Sequence, residues 1–84
     1  MLVKLELVYC AAWHYTERAI RAMTEVMSDE NLERQIETFT LVPSDGGKFE
    51  CSVDGKLVFS KLELGRHAEE GEIKKVFEKH LAGG

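Results

Sequence analysis

The chain has 84 residues, 44% of them hydrophobic and 31% charged, with a formal net charge of −4. That length holds one domain (1–84) with one small core, and the composition excludes a disordered polyelectrolyte. The Lys and Arg residues are scattered, which argues against nucleic acid or an anionic membrane as the main partner. No apolar run reaches the length of a membrane span, and no signal-peptide pattern opens the chain, so the expected location is cytoplasmic. Cys10 and Cys51 are too few for a secreted disulfide framework.

Val3, Leu5 and Leu7 alternate with Lys4 and Glu6, and Val8 and Tyr9 add apolar bulk. This predicts a strand with a buried finish. The period then changes: Ala19, Ile20, Met23, Val26 and Met27 form a helical stripe, while Glu17, Arg18, Arg21 and Glu25 face away. Thr16 is one candidate N-cap and a start one turn earlier is the other, and Ser28, Asp29 and Asn31 mark the helix end. Residues 34–42, RQIETFTLV, return to strand chemistry. A full helix between the two strands predicts a parallel pair.

Pro43, Ser44, Asp45, Gly46 and Gly47 read as a loop. Asp54-Gly55 between KFECSV and KLVFSK then predicts a β-hairpin on a type I′ turn, with Phe49, Cys51 and Val53 on one face. Residues 62–69 read as irregular. Residues 72–81 read as a helix whose stripe is Ile73, Val76, Phe77, His80 and Leu81, and Gly83-Gly84 as a frayed end. Its acidic start at Glu69, Glu70 and Glu72 and basic end at Lys79 and His80 suit the helix dipole. The order β-α-β-β-β-α predicts an α/β fold: a thioredoxin-like two-layer sandwich of a four-stranded mixed sheet with two helices on one face, although a two-layer α/β sandwich of another connectivity fits the same patterns.

The chemistry-bearing residues lie mostly where the first strand meets the first helix. Cys10 sits at a strand's carboxyl end, where reactive groups gather in open α/β sheets. Backbone amides and the helix's positive end would favour its thiolate there, whereas a buried apolar cysteine would simply fill the core. Trp13 either packs as a lid on the core or lies exposed for recognition, the lid being the plainer account. His14 would modulate the thiol or carry a proton, or face solvent with no role. Cys51 is core or a second thiol, and a bridge to Cys10 demands close Cα atoms. Cys10 and His14 are too sparse for a metal site. No phosphate loop or serine nucleophile elbow stands out.

Several segments together resemble the Rdx family, the small thioredoxin-like proteins that include selenoproteins W, T and H. They are Val8-Tyr9-Cys10, the Arg18-Ala19 step, the block GKFECSVDGKLVFSK at 47–61, Gly65-Arg66, and Glu72-Ile73. The resemblance implies a thiol-based redox role resting on Cys-x-x-Cys or Cys-x-x-selenocysteine. Cys10 matches the first motif position and Trp13 stands at the second, where an indole can neither attack nor resolve a disulfide. Selenocysteine is encoded by UGA, one base from the tryptophan codon UGG, so the codon at position 13 decides whether tryptophan is the natural residue.

Two functions follow as expectations. One is a thiol redox protein acting through Cys10 by mixed-disulfide formation with a protein or small-molecule thiol such as glutathione. In it Trp13, His14 and Cys51 are modulators or a resolving group, and there is no bound cofactor. The alternative is a catalytically inactive, thioredoxin-like protein-interaction module. Oligomeric state is open.

Overall fold

The computed structural model describes residues 1–83; Gly84, half of the expected frayed end, lies outside them. Strand β1 (Val3–Cys10) is central. It pairs in parallel with β2 (Ile36–Ser44) and antiparallel with β3 (Phe49–Val53), which pairs with β4 (Lys56–Ser60). The four-stranded mixed sheet has the order β2-β1-β3-β4.

Register puts Leu5, Leu7 and Tyr9 beside Val53, Cys51 and Phe49, and all six are buried. Helices α1 (Thr16–Met27) and α4 (Glu72–Leu81) cover that face with Ala19, Ala22, Val26, Ile73 and Phe77. Phe49 and Phe59 meet edge to face at 6.3 Å within this core. Lys4 and Glu6, with Thr38, Thr40 and Ser52 at their pairing positions, make the opposite face polar. The fold is therefore the two-layer thioredoxin-like sandwich that the pattern predicts.

Four details differ from the sequence reading. Ile20 is exposed and Ala22 is buried instead, so the stripe is Ala19, Ala22, Val26. Two alanines on the inner face let the helix sit close to the sheet. Pro43 and Ser44 belong to β2 rather than to a loop, paired with Tyr9 and Cys10. An edge strand tolerates proline because its outer side needs no ladder donor. Two four-residue helices are added, α2 (Glu30–Glu33) and α3 (Lys61–Leu64). The Asp29 carboxylate caps the first by accepting from Asn31 and Leu32, and the Ser60 hydroxyl caps the second by accepting from Glu63. Each is one turn long, too short to show a period. Lastly, Thr16 is the first helical residue and Tyr15 the N-cap.

Two junctions lock the layers. Asp54 (φ 51°) and Gly55 (φ 84°) both take the left-handed conformation that a type I′ turn demands. The Asp54 carboxylate accepts the Lys4 N–H at 2.9 Å while its own N–H donates to the Lys4 carbonyl at 2.8 Å, tying the hairpin tip to β1. At the start of α4, Arg66 grips Glu72 through two bonds of 2.7 and 2.8 Å. Glu72 also accepts the Glu69 N–H at 2.8 Å. The Arg66 hydrogen bonds hold the Glu72 carboxyl down to about 2. Across the helix pair, the Gly71 N–H donates to the Glu25 carboxylate at 3.1 Å.

Candidate functional site

The carboxyl end of β1 is built by two backbone segments that meet there. The Cys10 N–H donates to the Lys48 carbonyl and the Ala11 N–H to the Ser44 carbonyl, both at 2.8 Å. The chain then turns: the His14 N–H reaches Ala11 O and the Tyr15 N–H reaches Cys10 O, each at 3.0 Å. His14 closes this turn at φ 58°, a conformation that histidine adopts more readily than most residues. Tyr15 O accepts the Ala19 N–H at 3.0 Å, which starts α1. A full turn, 11–15, therefore stands between Cys10 and the first helical residue, Thr16.

The two motif positions have opposite environments. Cys10 is 0% exposed, while Trp13 is 62% exposed, so the indole is no lid on the hydrophobic core. Three alternating core residues of β1 point to the helices, and Cys10, of opposite parity, lies outside that hydrophobic cluster. Its backbone is hydrogen-bonded to both neighbouring segments: its N–H donates to the Lys48 carbonyl and its carbonyl accepts the Tyr15 N–H. His14 is exposed.

Cys51 is not brought to Cys10. It pairs with Leu7, three residues and roughly 10 Å back along β1, on the opposite face of the sheet. Both cysteines are free, and no disulfide joins such positions without rebuilding the strand. Burial pushes the Cys51 thiol up to about 12, so at neutral pH it is no resolving thiolate.

Residues to which the sequence assigned no role complete the surface. Trp13 meets Tyr15 edge to face at 6.2 Å, and Tyr15 meets His67 in the same way at 4.8 Å. The Lys61 ammonium lies 5.6 Å from the centre of the Tyr15 ring. An aromatic two positions after Trp13 was the available signal for Tyr15. His67 and Lys61 arrive only through tertiary folding. Burial lowers the His67 pKa, and the nearby Arg18 and Lys61 charges lower it further. Its Nδ1 is enclosed without a hydrogen-bond partner among the described residues. A cavity of about 30 Å³, lined by His67, Arg18, Phe49 and Ile73 among others, has room for water beside it. Among the described residues no group of three or more His, Cys, Asp or Glu side chains could hold a metal ion. No helix there is long and apolar enough to cross a membrane.

A parallel-antiparallel sheet with a cysteine at the end of its central strand and helices on one face defines a thioredoxin-like α/β protein. The Rdx family model matches residues 4–79, and the chain belongs to that family. Two solved structures are similar to it. One is a protein from Bordetella parapertussis, with TM-score 0.85 and 21% identity over 95% of this chain and 99% of that one. The other is a selenoprotein W-related protein from Vibrio cholerae, with TM-score 0.82 and 22% identity over 94% and 96%. At such identities the likeness speaks for the fold. No curated protein matches the chain.

Proposed function

We propose that this chain is a protein-interaction module on the Rdx scaffold, with Trp13 as its recognition side chain and no two-thiol redox cycle of its own. One observation carries the reading: the exposed motif position holds an indole, and the remaining motif thiol, Cys10, is buried. A disulfide-exchange protein needs a sulfur that a partner's sulfur can reach in line. An exposed tryptophan, in contrast, is the side-chain type that most often anchors a protein interface. Tyr15 and His67 extend its apolar surface, and Lys61 adds a cation at its edge.

The test is to treat the folded chain with glutathione disulfide and follow each cysteine by mass, alongside cross-linking in extract. Both thiols should stay unmodified while an unfolded control reacts. The cross-linked partner set should survive Cys10→Ser and disappear with Trp13→Ala. Rapid glutathionylation of Cys10 in the folded chain, or a partner set indifferent to Trp13, would overturn the proposal.

A second reading keeps Cys10 as a one-thiol redox group. It is favoured by the family membership and by the position of Cys10 outside the helix-covered core, where local opening suffices to reach it. The step would begin with loss of the thiol proton to solvent. The Cys10 thiolate would then attack glutathione disulfide, forming a protein–glutathione S–S bond and releasing one glutathione thiolate. A partner protein's thiolate would then attack the glutathione sulfur of that bond, returning the Cys10 thiolate and leaving the partner glutathionylated. The net change is partner thiol plus glutathione disulfide to glutathionylated partner plus glutathione.

A further inference from the structure

Gly46 and Gly47 are neighbours with the same φ of 74°, yet their surroundings differ. A Cβ at Gly46 would meet nothing within 4 Å. At Gly47 it would lie 2.7 Å from Trp13 Cζ3 and 3.3 Å from Cε3. The edge of the indole therefore rests on the Gly47 backbone, and Gly47 is buried while Gly46 is exposed. This contact joins the segments that meet around Cys10, since Lys48, the residue after Gly47, accepts the Cys10 N–H.

We infer that Trp13 resting on Gly47 is a latch that holds the 11–15 turn against the 45–48 loop and keeps the Cys10 thiol sealed. Gly47 is the positioning residue of the latch, because any side chain there occupies the space of the indole. The seal is local. Cys10 is fully buried without belonging to the hydrophobic cluster, so releasing the turn uncovers it while the sheet and helices stay in place. The inference stands whether or not Trp13 also binds a partner.

The experiment uses iodoacetamide, which alkylates a cysteine thiolate with release of iodide, and peptide mapping to separate Cys10 from Cys51. Gly47→Ala and Trp13→Ala should each speed labelling of Cys10 between about twofold and tenfold, the range that one aromatic contact gives. Gly46→Ala carries the same backbone strain without the clash, so it should leave the Cys10 rate near that of the native chain. Cys51 reports global unfolding and should not change in step. Trp13 is the only tryptophan, so its emission should also shift to the red in Gly47→Ala and stay put in Gly46→Ala. Equal effects of the two glycine variants, joint acceleration of both cysteines, or an unchanged Cys10 rate in Trp13→Ala would each sink the latch.

Discussion

The two cysteines are both buried, yet they belong to regions held together by different physics. Cys51 lies mid-strand in β3 under α1 and α4, within a continuous apolar cluster. Cys10 lies where a turn and a loop close over the end of β1 through backbone hydrogen bonds and the edge of one indole. The first region opens when the fold does. The second is closed by a few contacts of modest strength, which is the usual condition of a segment that opens locally. Low accessibility alone therefore says little about reactivity; what matters is which contacts must break to expose the sulfur.

The harshest test of this contrast is Phe77→Ala, which empties the helix side of the core. It should cost about 3–5 kcal/mol in chemical denaturation. Labelling of Cys51 should accelerate in proportion to the lost stability, and labelling of Cys10 by much less. If the two thiols accelerate together, the regions are one cooperative unit and the contrast fails. Next in size is Cys51→Ser, which puts a hydroxyl into an apolar site. It should cost about 1–3 kcal/mol, more than the same change at Cys10 beside its turn and loop.

Glu72→Gln sharpens the comparison from the helix side. Arg66 depresses the Glu72 carboxyl to about 2, so the ion pair stabilises the fold above the ordinary carboxylate range near 4.5. That contribution disappears as the pH falls through 4 toward 2. Because both side chains keep contact with solvent, the variant should lose only about 1 kcal/mol at pH 7. The deficit should vanish in acid, and labelling of Cys10 should be unaffected at neutral pH.

The smallest effect concerns His67, which joins the two regions by packing on Tyr15. Its pKa is lowered in the fold, so the unfolded chain binds its proton first, and stability falls on acidification from about 6.5 downward. His67→Gln should remove that slope. A slope that persists unchanged would mean that another group carries it.

Much of this architecture was legible beforehand. Alternation in β1 and in 49–53 placed the buried face, and Asp54-Gly55 specified the hairpin turn, because strand period and turn chemistry are local properties. Family membership was also legible, in the 47–61 block above all. The site was less so. The helix start moved because Tyr15 is held from outside the helix by the Cys10 carbonyl, and no propensity records such a bond. Ile20 was misplaced because an apolar stripe leaves its own rotation open by one residue until it meets a sheet.

The sequence by itself determined that this is an Rdx-type α/β chain in which tryptophan stands at the second motif position. Only the tertiary structure decided which motif position faces solvent, that Cys51 is on the wrong side of the sheet to serve Cys10, and that Gly47 lies under the indole. The reason is physical. Periodicity and turn signals act over a few neighbouring residues, whereas burial of a thiol at a strand end depends on segments that meet only after the sheet has formed.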